Sequence, residues 1–278
     1  MVGYILGAAA GILAGYSIFV ERTALGLTRL ELSYSRLPRS FDGFTILQIS
    51  DLNISHWWKN ERQMEKIVRS LDTDLLVFTG DNAVNSRGAR LLKEFLNRVR
   101  PDHETYLIYG NTENKGKYGR ERQKDLNWKN LRVLVNEHVI IKRGDDKIVL
   151  AGVDDPFTRH DDVPKAFEGA PKDAFKILLA HAPSAAGDAA DAGVDLLLAG
   201  HTHGGQIRFP IIGAVYPHIH KYKKLVMGLY EGEKLNRILK RDAGEMRVYT
   251  SRGLGISNLP MRFLCPPEIA YITLRSST

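Results

Sequence analysis

The stretch FTILQISDLNISHWWKNERQMEKIVRSLDTDLLVFTGDN, residues 44–82, contains the pattern that decides the fold. It opens with the apolar run Phe44–Ile49 and ends just after a second run, Leu75–Thr79. Short continuous apolar runs are typical of strands that are buried on both faces. Between them, apolar side chains follow the i, i+3, i+4, i+7 spacing of a half-buried helix, at Met64, Ile67, Val68 and Leu71. The stretch therefore predicts a strand, a helix and a second strand.

The same arrangement recurs along the rest of the chain. Further apolar runs lie at Tyr106–Tyr109, Ile148–Val153, Phe175–Ala180 and Leu196–Ala199, and residues 91–99 repeat the helical spacing. Alternating strands and helices predict an α/β core. Two later runs, Met246–Thr250 and Ile269–Leu274, follow without clear helices and suggest a second sheet packed on the first. We predict one domain over residues 44–278, preceded by a connecting segment and first edge strand over residues 23–43.

The N-terminal segment, residues 1–22, is predicted to be a membrane anchor. Val2–Val20 contains no charge, and as a helix it would be about 28 Å long, close to the hydrocarbon thickness of a bilayer. A cleaved signal peptide is the alternative, although the basic start and a clear cleavage site are missing. The basic residues near the segment all follow it, which places the domain in the cytoplasm; they are Arg22, Arg29, Arg36 and Arg39. Four glycines, Gly3, Gly7, Gly11 and Gly15, line one helix face, which would allow a homodimer.

The charge and cysteine content limit the kinds of ligand and structural site that the protein can have. The formal charge is +7, and residues 205–278 account for all of it, with 12 basic and 5 acidic side chains. A basic region can bind nucleic acid, an anionic membrane or a phosphorylated substrate. The single cysteine, Cys265, excludes a disulfide framework and a cysteine-based zinc cage.

Polar side chains capable of metal binding follow most of the apolar runs. They are Asp51, Asp81, Asn111, Asp154, His181 and the pair His201 and His203. Because the carboxyl ends of the strands in an open α/β sheet converge on one crevice, these groups can meet there. Carboxylate, amide and imidazole together suit a pair of divalent ions, which would polarise a phosphate and supply a bridging hydroxide as nucleophile.

Five short motifs, in order, resemble the calcineurin-like metallophosphoesterases. They are SDLN (50–53), TGDN (79–82), YGNTE (109–113), LAHAP (179–183) and AGHTHGGQ (199–206). The segments GVDDP (152–156), GLYEG (228–232), SRGLGIS (251–257), LPMRF (259–263) and PPEI (266–269) are similar to a bacterial subgroup that carries an N-terminal membrane segment or export signal. The resemblance implies a four-layer αββα sandwich. With the predicted anchor, it implies a location at the bacterial inner membrane with the catalytic domain on the cytoplasmic side.

The resemblance also implies roles for individual residues. Asp81 would bridge two metal ions, Asn111, His181 and His201 would complete one site, and Asp51 and His203 would bind the second ion. Two positions depart from the family pattern: Asn53 replaces a metal-binding histidine, and Thr112 replaces the histidine thought to assist the leaving group. An amide oxygen is a harder ligand than imidazole, so Asn53 favours Mn or Mg over Zn. His56, three residues later, is an alternative ligand to Asn53.

Thr112 bears on the choice of substrate. A threonine cannot donate a proton at neutral pH, and general acid catalysis typically contributes about 10²–10⁴-fold. The expected substrate is therefore a diphosphate with a stable leaving group. UDP-2,3-diacylglucosamine of lipid A synthesis, which releases UMP, fits this description and the predicted anchor. The alternatives are a general phosphodiesterase or phosphatase of the same superfamily, and a catalytically impaired member that binds phospholipid.

Four basic residues are candidates for substrate binding: Arg208 and Arg252 beside strand ends or motifs, and Lys115 and Arg120 after Asn111. Residues 207–230 mix apolar and basic side chains and are predicted to be either a flap that meets lipid or an ordinary hairpin. The expected partners are thus a lipid-linked phosphorylated substrate and a membrane. Nucleic acid is not favoured, because no known binding motif supports it.

Overall fold

The computed structural model describes residues 1–99, 104–115, 126, 128 and 130–277. The described strands are β1 (Gly26–Tyr34), β2 (Thr45–Ile49), β3 (Leu75–Thr79), β4 (Thr105–Ile108), β5 (Leu131–Val133), β6 (Glu137–Arg143), β7 (Asp146–Gly152), β8 (Phe175–Leu179), β9 (Leu196–Ala199), β10 (Arg208–Phe209), β11 (Gly213–Ala214), β12 (Gly228–Tyr230), β13 (Arg247–Thr250) and β14 (Glu268–Ser276). The described α-helices are α1 (Val2–Gly15), α2 (Lys59–Ser70), α3 (Ser86–Val99), α4 (Asn111–Asn114), α5 (Val163–Ala166), α6 (Ala186–Asp191) and α7 (Gly232–Leu239).

The first sheet has the strand order β1-β14-β2-β3-β4-β5. Strands β2 to β5 are parallel, as expected where helices connect successive strands. The last strand, β14, lies between β1 and β2, parallel to the former and antiparallel to the latter. The run Ile269–Leu274 is therefore part of the first sheet, and its assignment to a second sheet was wrong. Its side chains are apolar toward both faces, which suits an interior position.

The second sheet has the order β12-β13-β9-β8-β7-β6. Its four central strands are parallel, and the edge strands β12 and β6 pair antiparallel. The run Met246–Thr250 supplies β13 and confirms a second sheet in this region. A helix, α7, precedes it and covers the outer face.

Three apolar cores separate four layers. Alternate residues of a strand point to opposite faces, so Val77 of β3 and Leu198 of β9 lie in the core between the sheets. Their neighbours face outward: Phe78 packs under α2 and α3, and Leu197 packs under α5, α6 and α7. The predicted αββα sandwich is confirmed by this arrangement.

The predicted membrane-spanning helix over residues 2–20 is not confirmed. The α-helical part ends at Gly15, and Tyr16–Val20 form one π-helical turn. Within the described ranges, no helix combines the length and apolar content needed to cross a bilayer. Within this π-helical turn, Ser17 O accepts a hydrogen bond from Arg262 N–H at 3.0 Å. A Cβ added at any of the four helix glycines would meet nothing within 4 Å, and their role in a homodimer stays a prediction.

The residues after α1 pack against a loop that precedes β14. Ser17 and Glu21 are buried, and Glu21 Oε1 accepts the backbone N–H of Cys265. Arg22 Nη1 donates to Pro260 O at 3.3 Å. Directly after these two segments, β1 pairs with β14, beginning at Gly26 and Glu268. The division of the chain at residues 22 and 43 stays a prediction.

Candidate active site

Polar residues at the carboxyl ends of strands from both sheets meet at one place. Asp51 follows β2, Asp81 follows β3 and His181 follows β8; all three are buried, and one ligand atom of each lies within 4.8 Å of the others. Asn111 follows β4, and its Nδ2 lies 3.4 Å from Asp81 Oδ2. The strands therefore bring these side chains together as the sequence predicts. Their roles as metal ligands stay predictions.

Hydrogen bonds orient two of the three histidines of the site. His181 Nδ1 lies 2.9 Å from the carbonyl oxygen of Thr79, which can only accept, so Nδ1 carries a proton and Nε2 faces Asp81 Oδ1 at 3.4 Å. His201 Nε2 likewise donates to His218 O at 2.8 Å, which leaves its Nδ1 3.1 Å from His181 Nε2. His203 Nε2 lies 3.5 Å from Asp51 Oδ1.

The backbone at the site is held in an uncommon conformation. Five of the seven predicted ligands have positive φ angles: Asp51 (51°), Asn53 (47°), Asp81 (53°), His201 (70°) and His203 (48°). Such angles cost free energy in residues other than glycine and tend to occur where function requires them. Neighbouring glycines allow close approach: a Cβ at Gly200 would lie 2.4 Å from Asp51 Oδ2.

Burial and neighbouring charges shift the pKa values of the site. Burial raises the pKa of Asp51, although His181 opposes the shift. Burial alone would lower the pKa of His181, but Asp81 and Asp51 outweigh it and raise that pKa to about 9. Burial and Arg262 lower the pKa of His203 to about 3, and burial and His181 lower that of His201. The latter two histidines are therefore neutral and can act as ligands at neutral pH.

This arrangement fits divalent cations. Two buried carboxylates close together are unfavourable without a compensating positive charge. The facing ring nitrogens of His181 and His201, 3.1 Å apart, also repel each other unless a proton or metal ion lies between or beside them. His203 Nδ1 is buried and has no hydrogen-bond partner among the described residues. The mixed oxygen and nitrogen donors suit Mn, Mg or Zn.

The two positions that depart from the family pattern contact each other. Thr112 Oγ1 lies 3.4 Å from Asn53 Oδ1, and Thr112 N–H donates to Asp81 Oδ1 at 2.7 Å. Asn53 therefore lies beside the site, as predicted. His56 is exposed and contacts Ser55 Oγ at 3.0 Å; it does not belong to the ligand group of the described residues. Which of Asn53 and His56 binds an ion stays a prediction.

Glu113 is an important residue of the site to which the sequence analysis gave no role. Its buried carboxylate accepts the backbone N–H groups of Asp81 (3.1 Å), Asn82 (2.7 Å), Ala83 (3.2 Å) and Gly110 (2.8 Å). These bonds fix the loop that carries Asp81. Burial and the charge of Asp81 raise the pKa of Glu113 to about 7. The sequence did contain a signal for this residue: Glu113 is the last residue of the motif YGNTE, where the family pattern has an acidic residue.

Arg262 is a second residue without an assigned role. It is fully buried and donates to the carbonyl oxygens of Arg252, Gly253, Gly255 and Cys265. Gly255 N–H in turn donates to Asp51 O at 2.7 Å, and Cys265 Sγ contacts His203 O at 3.3 Å. Arg262 therefore shapes the loop that supports both Asp51 and His203. No periodicity in the sequence pointed to it.

The predicted substrate-binding residues have different surroundings. Arg208 donates to Gly204 O at 2.9 Å, and Arg252 pairs with the buried carboxylate of Glu268 at 2.6 Å. These contacts favour structural roles for both, and their binding of substrate stays a prediction. Lys115 lies 5.0 Å from the ring of Phe157, which packs on His201, so it is close to the site. Arg120 lies outside the described residues.

Two further features predicted from the sequence are the strand-end residue Asp154 and the mixed apolar and basic segment 207–230. Asp154 Oδ1 accepts from Asn114 Nδ2 at 2.6 Å and is not part of the buried ligand group. The segment contains the β10–β11 hairpin, whose tip exposes Ile211 fully. Its His218 carbonyl orients His201, so the segment borders the site.

Comparison with known proteins agrees with this geometry. The chain is 32% identical over 273 residues to the uncharacterized metallophosphoesterase YkuE of Bacillus subtilis, covering 95% of this chain and 90% of that one. It is 27% identical to the phosphodiesterase YaeI of Escherichia coli, covering 94% and 92%. It is 31% identical to a transmembrane protein with a metallophosphoesterase domain from Bos taurus, covering 90% of this chain and 57% of that protein. The family model for calcineurin-like phosphoesterases matches residues 44–205. The chain belongs to this family and is a metal-dependent phosphoesterase.

Proposed function

We propose that the protein hydrolyses a phosphoanhydride or phosphodiester whose leaving group is already a stable anion. The observation that carries this proposal is the position of Thr112, whose N–H contacts Asp81 at 2.7 Å and whose hydroxyl faces Asn53. A hydroxyl at this position cannot protonate a leaving alkoxide at neutral pH. The rate should therefore fall steeply as the leaving group becomes more basic.

The chain's own residues supply positioning and charge around the reacting phosphate. Two divalent ions held by Asp81, Asn111, His181, His201, Asp51, His203 and Asn53 would polarise the phosphate and activate water when bound. His218 O and Thr79 O fix the ring orientation of His201 and His181, and Glu113 fixes the Asp81 loop. Asn53 gives the second site an oxygen donor, which supports Mn as the preferred ion, with Mg or Zn as alternatives.

UDP-2,3-diacylglucosamine, with UMP as the leaving group, is the specific substrate that we propose. It combines a phosphoanhydride with a lipid, and the protein exposes large apolar side chains that could contact lipid, among them Phe19, Ile211 and Ile212. The test compares hydrolysis of this lipid, bis-p-nitrophenyl phosphate and an alkyl monoester with Mn, Mg and Zn. We expect the first two to be cleaved and the alkyl ester to be cleaved far more slowly. A wild type that prefers the alkyl ester would contradict the proposal.

A general phosphodiesterase is the second candidate, and the similarity to YaeI, described as a phosphodiesterase, favours it. It predicts turnover of activated and natural diesters without a preference for the UDP-lipid. A catalytically impaired phospholipid-binding protein would show no turnover with any metal. The same assay therefore separates the three possibilities.

We further propose that the protein acts at the cytoplasmic face of a bacterial inner membrane. The exposed apolar side chains of α1 and the following turn, including Ile12, Leu13, Phe19 and Val20, support association with lipid. The basic residues that follow support the cytoplasmic side. Reporters fused after Thr278 test the orientation: a cytoplasmic reporter should be active and a periplasmic one silent. The reverse pattern would exclude a substrate that is made and consumed inside the cell.

A further inference from the structure

A cavity of about 360 Å³ lies on the side of the metal centre where Asn53 is located. Its walls come from the turn after α1, the stretch from the loop after β2 through the first turn of α2, Val84 in the loop after β3, and the loop at residues 254–256. The volume is in the range typical of small-molecule sites, about 300–1,000 Å³. None of its residues was predicted to bind substrate.

The cavity borders the reacting centre. Asn53 lines it, and the same side chain faces Thr112 at 3.4 Å, while Thr112 N–H contacts Asp81. Leu52, which follows Asp51 directly, forms part of the floor. A substrate whose phosphate lies at the carboxylates can therefore extend past Asn53 into this space.

Hydrogen bonds hold the walls of the cavity together across the opening. Asn60 Nδ2 donates to Arg22 O at 3.0 Å, and Lys59 Nζ donates to Thr23 Oγ1 at 3.4 Å. These bonds join the first turn of α2 to the turn after α1. The cavity is thus preformed, and the N-terminal segment is one of its walls.

The lining combines basic and apolar side chains. Within the described residues, neither Arg22 nor Lys59 takes part in an ion pair. Glu61 also lines the cavity, but its carboxylate already accepts Trp58 N–H at 2.9 Å and burial raises its pKa. With two basic side chains, Arg22 and Lys59, and one acidic side chain, Glu61, the lining has a net positive charge. Asn60 Oδ1 is buried and has no hydrogen-bond partner among the described residues, so it can accept from a ligand hydroxyl.

Exposed apolar side chains lie on the cavity wall and, close in sequence to Arg22, on the N-terminal segment. Trp58 on the cavity wall is 61% exposed. Phe19 and Val20, two to three residues before Arg22, are 76% and 52% exposed. An acyl chain can therefore lie along this surface while a polar headgroup enters the cavity.

We propose that this cavity binds the headgroup of an amphiphilic organophosphate, with Arg22 and Lys59 holding an anionic oxygen and Asn60 accepting from a hydroxyl. The acyl chain packs on Trp58 and on the turn that carries Phe19. The proposal rests on the proposed function, because it takes the reacting phosphorus to lie at Asp81. It names the substrate class as a phosphorylated lipid with a hydroxylated headgroup.

Binding can be measured by calorimetry on the full-length protein with a chelator present, so that metal cannot hold the phosphate. The probes are 1-octanoyl-glycerol 3-phosphate below its micellar concentration and glycerol 3-phosphate. We expect the octanoyl compound to bind about tenfold or more tightly, because apolar burial adds to the headgroup contacts. Equal affinities for the two probes would overturn the proposal.

Two variants locate the site. Lys59→Gln should weaken binding of the octanoyl probe by about tenfold, the loss expected for one hydrogen bond to a charged group. Ser55→Trp should fill the cavity and abolish the preference for the acyl chain. The matched control is Lys66→Gln, two turns later on α2 and exposed, which should bind like the wild type. An equal loss in Lys66→Gln and Lys59→Gln would overturn the proposal.

A kinetic measurement separates this inference from the proposed function. Ser55→Trp should lower kcat/KM for the acylated substrate much more than for bis-p-nitrophenyl phosphate. If both rates fall equally while the wild type is active, the cavity does not select substrates and only the proposed function stands. If the wild type cleaves neither compound, the proposed function fails, and calorimetry still decides whether the cavity binds the amphiphile.

Discussion

The two sides of the metal centre differ in how tightly they are enclosed. On one side, Asp81, His181 and Glu113 are buried, and backbone groups satisfy Glu113 and the Nδ1 of His181. On the other side, Asn53 and Thr112 are partly exposed and contact each other at 3.4 Å, and Asn53 borders a cavity. We call these the enclosed side and the open side.

Both departures from the family pattern lie on the open side. The enclosed side keeps the residues that the pattern requires, so the means of binding metal is retained there. On the proposed function, the open side would face the leaving group of the substrate. The comparison then predicts that substitutions on the open side change the choice of substrate, whereas substitutions on the enclosed side change metal binding.

The largest expected effect is on the enclosed side, in Asp81→Ala. Loss of a bridging ligand should lower kcat/KM by about 10³-fold or more. Replacing even a residue that only hydrogen-bonds to a metal ligand typically lowers metal affinity or activity by about 10–100-fold. Steady-state hydrolysis and bound metal per chain measure this effect, and all substrates should lose equally. Asp145→Ala, at an exposed turn, is the control. Unchanged activity in Asp81→Ala would exclude the dimetal mechanism.

Thr112→His tests the open side. A positioned proton donor should raise hydrolysis of alkyl esters by up to about 10²-fold and leave the UDP-lipid little changed. Both substrates are compared at a fixed Mn concentration. Equal gains on both substrates would contradict the view that the open side sets the choice of leaving group.

Glu113→Gln should weaken metal binding by about 10–100-fold without direct contact with the ion. The amide's NH₂ would face two of the four backbone N–H groups that the carboxylate now accepts, so the Asp81 loop should shift. Metal titration measures the change, with Glu94→Gln on the exposed face of α3 as control. If both variants bind metal like the wild type, the enclosed side does not depend on this carboxylate.

Metal affinity should depend on pH. Because Asp81 and Asp51 raise the pKa of His181 to about 9, this histidine is protonated at pH 7 and must lose its proton to bind metal. Apparent affinity should rise about tenfold per pH unit up to about pH 9 and then level off. Titrations at several pH values test the slope, which His160→Gln, an exposed histidine, should leave unchanged. A flat profile would show that His181 does not bind the metal.

The smallest expected effect is that of Asn53→His. Imidazole is softer than an amide oxygen, so the variant should bind Zn a few-fold more tightly relative to Mn. Competition titrations with the two metals give the ratio. No change in this ratio would mean that Asn53 lies beside the site without binding an ion.

The sequence was sufficient to predict the α/β core and the residues at the strand ends. Apolar runs such as Leu75–Thr79 and Leu196–Ala199 became interior strands of the two sheets. Asp81 and His201, which follow these runs, both lie beside His181 because the carboxyl ends of the strands converge. Successive residues of a buried run point to opposite faces of the sheet, so Val77 and Phe78 lie in different cores.

Other features depend on contacts between distant parts of the chain. Nothing in the spacing of apolar residues could show that Ile269–Leu274 lies between β1 and β2, or that Arg262 organises the loop beneath Asp51. The membrane anchor was predicted from the sequence of the N-terminal segment itself. That segment cannot reveal the hydrogen bond that the distant Arg262 N–H donates to Ser17 O. The cavity beside Asn53 is likewise formed by four separate segments.

The position of β14 between β1 and β2 has a consequence for folding. Gly26 pairs with Glu268, so the first sheet cannot be completed until β14 has left the ribosome. Until then, β1 and β2 have no strand between them, and their edges are open to pairing with other chains. Contacts so distant in sequence are slow to form. During synthesis, the N-terminal strand should therefore be the part of this protein most in need of a chaperone.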